Sequence, residues 1–243
     1  MKKIFLISLF VLSLFTSKSF ALTGEATSYE ITITRIEMCD STSTDTTCNN
    51  SVVLYSGDSG GIDIASTTAG SAAASLGDLS AVAFGTTYTY LQITMERAMT
   101  LAGTVTNGFV NCSTIESSFS STTLNGIGAR TATEVAGTYY AGIPGYSGHG
   151  NFMNSTTAGD GTGTDAATGT VDSGDSYFEW REALTTPFTM EAGKIPTVIV
   201  AFGTTTALGY LEQGGDLGSS CNDSPRPDRG FYGNTPDVDI TIK

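Results

Sequence analysis

Beyond residue 21 no stretch of this chain keeps a helical hydrophobic period with caps, while several stretches alternate apolar and polar residues one by one. That period of two belongs to β-strands, whose successive side chains point to opposite faces of a sheet. Residues 86–101 carry the pattern most strongly: Leu91, Ile93 and Met95 fall on one face, and Gln92, Thr94 and Glu96 on the other, preceded there by Tyr88 and Tyr90. Tyr29–Thr34 alternates in the same way, and Val238, Ile240 and Ile242 alternate with Asp237, Asp239 and Thr241 near the end of the chain. Ile195–Phe202 is nearly all apolar and reads as a strand buried on both faces, with Pro196 at its start. Val52–Tyr55 and Ile62–Ile64 complete the strand candidates, and glycine, serine and threonine fill most of the remainder, as suits short strands joined by many turns. The expectation is an all-β chain, an antiparallel β-sandwich with long Gly/Ser/Thr-rich loops. Residues 71–83 offer at most one helical turn, interrupted by Gly77.

Two arginines break the pattern. Arg35 follows Ile31 and Ile33, and Arg97 follows Leu91, Ile93 and Met95, each on the apolar phase of its strand. Since the apolar phase moves to Ile36 and Met38, a β-bulge beside Arg35 would turn it outward. For Arg97 two alternatives stand, an outward bulge or burial beside a carboxylate, because an unpaired buried arginine is too costly to keep.

The first residues set the compartment. Met1-Lys2-Lys3, an apolar run from Ile4 to Phe15 and Ser19-Phe20-Ala21 have the form of a secretory signal peptide over residues 1–21, cleaved before Leu22. The remaining 22–243 form one domain, with no further segment apolar enough to span a membrane as a helix. The four cysteines, Cys39, Cys48, Cys112 and Cys221, then read as two disulfides in an exported protein. Of the three pairings, Cys39–Cys48 with Cys112–Cys221 is favoured, because the first pair brackets a loop-like Ser/Thr/Asp/Asn stretch. No CxxC pair and a single histidine leave little for zinc.

Charge narrows the partners. The formal net charge is −13, and the leader holds three lysines and no acid, so its removal makes the remainder still more negative. The other cations are spread singly, so nothing meets the phosphates of nucleic acid or an anionic membrane.

The order Tyr29–Ile36, Ile62-Asp63-Ile64, Gly85-Thr86-Thr87-Tyr88, Leu91-Gln92-Ile93, then Pro187-Phe188, Glu191-Ala192-Gly193 and Val198–Phe202 resembles secreted bacterial prealbumin-like (transthyretin-like) β-sandwich modules of uncharacterised function. The resemblance covers part of the chain, with long insertions between its blocks. It implies a fold and an envelope setting and no reaction.

Four groups of residues are the candidates for chemistry. Gly57-Asp58-Ser59-Gly60-Gly61 spells the nucleophile motif of chymotrypsin-like serine proteases. That mechanism needs a histidine base on the serine, which in that family precedes it. The lone His149 comes far downstream in a loop-like run, so a tight turn is the expected role of the pentapeptide. Asp160, Asp165, Asp172 and Asp175 lie in a polar stretch, about 154–176, read as a long surface loop. Their carboxylates could supply oxygens to calcium, although the order matches no EF-hand, and a solvated loop is the simpler reading. Trp180 sits in Tyr177-Phe178-Glu179-Trp180-Arg181-Glu182, where alternation puts Phe178 and Trp180 on one face and Tyr177, Glu179 and Arg181 on the other. With Tyr139, Tyr140 and Tyr146, Trp180 would be the contact surface of a sugar-binding module.

These observations point to a non-enzymatic exported protein, periplasmic, outer-surface or extracellular, that binds or assembles with a surface protein or a glycan. It requires no cofactor, and calcium is the one metal its loop could take. The alternatives are a carbohydrate-binding module, with or without calcium, and a fibre subunit assembled by pairing of edge strands such as Tyr29–Met38 or Asp237–Lys243.

Overall fold

A computed structural model of the chain describes residues 19–45, 47–66, 79–106, 111–116, 128–129, 133–140, 152–153, 176–192, 198–213, 229–233 and 236–242. Its strands are β1 (Ser19–Gly24), β2 (Ala26–Asp40), β3 (Val52–Ser56), β4 (Gly61–Asp63), β5 (Thr87–Glu96), β6 (Ala98–Thr106), β7 (Asn111–Thr114), β8 (Gly128–Ala129), β9 (Gly137–Tyr140), β10 (Phe152–Met153), β11 (Tyr177–Thr189), β12 (Val198–Gly203), β13 (Leu208–Gln213), β14 (Arg229–Gly233) and β15 (Asp237–Ile242). Among the described residues the helical content is a single 3-10 turn, Leu79–Ala81. No described helix is long and apolar enough to cross a membrane. All strand pairs are antiparallel, and they form a ten-stranded sheet, the three-stranded sheet β1-β13-β14 and the two-stranded ribbon β12-β15. The all-β, antiparallel expectation holds.

The large sheet is organised on β2, fifteen residues long and so about 50 Å in extent. One edge of β2 is lined by β5 and then β6, which form a single run interrupted only at Arg97. The other edge is lined by β3 and then β4, interrupted by Gly57–Gly60. The breaks coincide. Register passes from Ile33↔Met95 to Arg35↔Thr94, so Thr34 is an extra residue in β2 at the level where both neighbours are also broken. A bulge bends the strand that carries it, and here the bulge in β2 lies level with the breaks in both of its neighbours.

This bulge explains the odd phase of Arg35. Ile33 and Ile36 both line the same apolar cavity although they are three positions apart, an odd spacing, and Arg35 is left half-exposed on the opposite face. Arg97, in contrast, is 1 % exposed and so is not turned outward. It still interrupts its strand, and its backbone N–H donates to the Ser176 carbonyl at 3.0 Å.

Two faces result across β2, β5 and β11. Ile33, Met95 and Phe178 form one row of the apolar face and Ile36, Ile93 and Trp180 the next, each row in direct cross-strand register. The ribbon packs over it. Val198↔Ile242, Val200↔Ile240 and Phe202↔Val238 are its facing apolar pairs, and Val198, Val200 and Phe202 join Ile33, Ile36, Leu91 and Ile93 around a cavity of about 50 Å³. The strand over Val198–Phe202 is therefore not buried on both sides, as its composition suggested. Val198–Ala201 are half-buried, and β12 is paired on one side by β15, so its inner alternate residues supply the core contacts.

At the other end of β2, Gly24 and Gly103 let two backbones cross closely: a Cβ on Gly103 would lie 2.6 Å from the Glu25 carbonyl oxygen, and one on Gly24 2.6 Å from that of Thr104. The turn from β1 into β2 is thereby held against β6. Residues 1–18 of the expected leader lie outside the described residues, and the expected cleavage point after Ala21 falls within β1.

Candidate functional site

The polar face of β2, β5 and β11 brings four charged side chains together among the described residues, and all of them but Arg35 are buried. Its rows are Arg35–Thr94–Glu179 and Glu37–Gln92–Arg181, each in direct register across the three strands. Charges alternate around this square: Arg35 and Glu37 are i, i+2 neighbours on β2, Glu179 and Arg181 on β11, and each charge faces its opposite across Thr94 or Gln92. Glu37 is 6 % exposed, Gln92 5 %, Thr94 4 %, Glu179 7 % and Arg181 4 %.

The hydrogen bonds run across the strands. Glu37 accepts from Arg35 Nη2 at 3.0 Å and from Ser51 Oγ at 2.9 Å on one oxygen, and from Gln92 Nε2 at 3.0 Å on the other. The Gln92 carbonyl oxygen in turn accepts from Arg181 Nε at 2.8 Å and from Arg181 Nη2. This fixes which way the amide points, since both of its ends are specified. Arg181 Nη2 lies 3.6 Å from Glu179 Oε2, and Arg181 Nη1 donates to the Asp45 carbonyl at 3.1 Å.

Burial pulls the Glu37 carboxyl upward. The hydrogen bonds from Arg35, Ser51 and Gln92, with the Arg35 charge, outweigh it and hold the group below its ordinary range. Burial lowers the Arg181 guanidinium from its very high ordinary value, against the raising effect of Glu179, Glu37 and Asp45. Arg35 is pushed up by its hydrogen bond to Glu37.

Asp45 reaches this face because Cys39 lies on it. The Cys39–Cys48 disulfide forms as expected, with Cα atoms 5.1 Å apart, and closes a loop that arches from β2 over β5 to β11. Asp40 organises the loop: its carboxylate accepts the Thr42 amide at 2.9 Å, the Thr42 hydroxyl at 2.6 Å and Asn50 Nδ2 at 2.7 Å. The Thr42 bonds, then that from Asn50, hold its pKa low. Asn49 donates to the Thr42 carbonyl at 2.8 Å, and Asn50 takes a left-handed φ of 42°. The polar composition of residues 40–51 is thus consumed in satisfying backbone groups that no ladder reaches. Of the second expected pair, Cys112 is buried in β7 and is not a free thiol, while Cys221 lies outside the described residues. One disulfide is described, where the sequence suggested two.

Ser59 has a structural occupation. Its hydroxyl accepts the Ile33 N–H at 2.8 Å and donates to the Gly60 carbonyl at 2.7 Å; its own N–H donates to the Ile33 carbonyl at 3.0 Å, and Gly57 N–H donates to the Thr34 carbonyl at 2.9 Å. The bulge in β2 takes these backbone groups off the ladder, and the Gly57–Gly61 turn receives them. Gly57 and Gly60 adopt φ of 153° and 65°, which a side chain would resist.

The remaining sequence candidates do not converge on this face. Trp180 is 4 % exposed and Tyr139 1 %, so both are core rings and neither is an exposed platform for a sugar. Trp180 lines a small cavity together with Tyr29, Met95, Met99 and Phe178. Tyr140 ends β9 with its side chain outside the described set; Tyr146, His149, Asp160, Asp165, Asp172 and Asp175 lie outside the described residues. No cluster of three or more potential metal ligands occurs among the described residues. Gln92, Thr94 and Glu179 were not singled out from the sequence. Their signal was the mirrored pair Arg35-x-Glu37 and Glu179-x-Arg181, two same-face charge pairs of opposite order on strands that turn out to be two apart.

No protein-family model, no curated protein and no solved structure matches the chain.

Proposed function

We propose that this is an exported, non-enzymatic β-sandwich protein of the envelope or cell exterior that acts by binding or by assembling with other surface components. The observation that carries this reading is the commitment to structure of the reactive-looking side chains among the described residues. Glu37, Gln92 and Arg181 bond to one another, and the Ser59 hydroxyl is occupied by the β2 bulge. Groups held this way stiffen a scaffold and are poorly placed to exchange protons with a substrate. A disulfide clamp over the same face suits an oxidising compartment. The packing of the β12–β15 ribbon over the apolar face supports a two-layer arrangement, and a prealbumin-like strand order belongs to this reading as a proposal.

Exposure to a fluorophosphonate probe tests it, because such probes label activated serines. The expected result is no adduct on Ser59, with Ser59→Ala losing about 1 kcal/mol of stability through the released Ile33 N–H. Labelling of Ser59 would overturn the non-enzymatic reading. Thermal unfolding in EDTA and then in millimolar calcium tests the acidic stretch separately: a rise of several degrees would mean that the native state binds the ion and would bring the calcium-dependent form forward.

A fibre or surface-assembly role also has an observation in its favour: among the described residues no strand pairs with the outer edge of β12. Of the two strands first considered for it, β2 is paired on both edges and is removed from consideration. The other, β15, has one edge taken by β12.

A further inference from the structure

Loop 40–51, which joins β2 to β3 and is closed by the Cys39–Cys48 bond, brings almost nothing apolar to bury. Its sequence is Asp-Ser-Thr-Ser-Thr-Asp-Thr-Thr-Cys-Asn-Asn-Ser, in which Cys48 is the one apolar side chain. Its shape is held from within, by the bonds around Asp40, a 2.8 Å bond between the Thr44 and Thr47 hydroxyls, and donation from the Asn49 N–H to Ser43 Oγ at 2.9 Å. At its base the Ser41 N–H donates to the Thr87 carbonyl at 2.9 Å. Its far end reaches β11, where the Asp45 carbonyl accepts from Arg181. The disulfide draws the returning leg down onto the sheet. Without it, one hydrogen bond at the far end sets little against the backbone freedom the loop would regain.

Beneath the loop Glu37, Gln92 and Arg181 bond to one another directly, and the apolar rows Ile33–Met95–Phe178 and Ile36–Ile93–Trp180 lie on the other face of the sheet. Core and charges therefore keep their own contacts if the loop lifts. The two sulfurs also differ: Cys39 is buried, while Cys48 is half-buried and open to attack from solvent.

We propose that this loop is a thiol-operated lid: a dithiol that reduces Cys39–Cys48 frees the loop from Arg181 and admits water to the buried charges, and reoxidation closes it. One thiolate of the dithiol attacks Cys48 Sγ, the S–S bond breaks, and Cys39 leaves with the electron pair. The second thiol then displaces Cys48 from the mixed disulfide. Two electrons pass to the protein, both protons of the dithiol end on Cys39 and Cys48, and the dithiol departs as its own disulfide.

Three arginines report the state of the lid to phenylglyoxal, with adducts located by peptide mass spectrometry. The Arg35 side chain is 40 % exposed, Arg181 is 4 % exposed under the loop, and Arg97 is 1 % exposed in another part of the fold. Full-length oxidised protein is compared with Cys39→Ser, Cys48→Ser and with wild type treated with dithiothreitol and then iodoacetamide. In all three preparations Arg35 should react and Arg97 should stay protected. Arg181 should react at least about tenfold faster in the two opened preparations, because its protection follows the population of the open form. Cys39 and Cys48 should both be alkylated after reduction. Equal protection of Arg181 with the bond closed and open would overturn the inference, as would a bond that native protein does not yield to dithiothreitol. So would Arg97 reacting along with Arg181 in both opened preparations, since the bond would then hold the whole fold. None of these results touches the non-enzymatic reading, which falls with Ser59 labelling.

Discussion

Replacing Arg181 with methionine tests whether the buried charges act as one unit. The guanidinium makes two bonds to Gln92, one to the Asp45 carbonyl at 3.1 Å and a 3.6 Å ion pair with Glu179, all within a 4 % exposed side chain. Methionine fills most of the volume and removes every donor. The Gln92 oxygen then stays buried without these donors, and Glu179, itself 7 % exposed, loses this cation. Breaking a buried pair from one side costs about 3–5 kcal/mol, a large part of the roughly 5–15 kcal/mol that holds a domain together. For a chain of this size that corresponds to a melting temperature lower by about 6–20 °C. Urea titration of the oxidised protein would measure it as a shift in midpoint with little change in slope. The double variant Arg181→Met, Glu179→Leu removes both charges, and it should recover at least about half of the loss, because whole buried pairs replaced by apolar side chains are often near neutral. A single-variant cost below about 1 kcal/mol, or a double variant costing the sum of its singles, would refute the reasoning, since either would mean that the charges are solvated or independent.

The disulfide closes a loop with a sequence separation of nine, for which chain entropy gives about 2.5–3 kcal/mol; Cys39→Ala with Cys48→Ala should lose that amount, and more if release of Asp45 also loosens Arg181, as calorimetry would show. Glu37 has a depressed pKa when folded, so its contribution is present above the unfolded carboxylate value of about 4.3 and is lost as pH falls through the folded value; Glu37→Gln should flatten that acid limb while lowering stability at pH 7. Burial raises the pKa of Tyr29 and Tyr139, so the stability they contribute is complete below about pH 10 and falls as pH rises further; absorbance at 295 nm should show these two tyrosinates appearing only as the fold is lost. Gly103→Ala would drive a Cβ to 2.6 Å from the Glu25 backbone oxygen, which no rotamer can relieve, and should cost about 1–3 kcal/mol by urea titration.

What could be read from the sequence divides along a physical line. Period-two alternation reports which side chains share a face of their own strand: it places Leu91, Ile93 and Met95 on one face and, separately, Phe178 and Trp180 on one face, and the pairing of β5 with β11 brings all five to the apolar face of one sheet. Alternation says nothing about whether the other face meets water. Gln92 and Thr94 read as the wet side of a half-buried strand, yet they are as deeply buried as their neighbours. Their burial depends on Cys39 facing that side, so that the disulfide loop crosses three strands to put Asp45 on Arg181. That is a contact between residues 136 positions apart, with no local pattern to announce it. The bulge at Thr34 was legible because it shifts an apolar phase within a single strand. Its coincidence with the breaks at Arg97 and at Gly57–Gly60 was not, because that depends on which strands flank β2 and in what register. The protease-like pentapeptide shows the same divide from the other side. Its letters are those of a nucleophile, but the Ser59 hydroxyl is aimed at the N–H that the bulge takes off the ladder. The backbone of β2 therefore explains why serine stands there, and Asp58 closes the turn itself by accepting the Gly60 N–H at 2.8 Å.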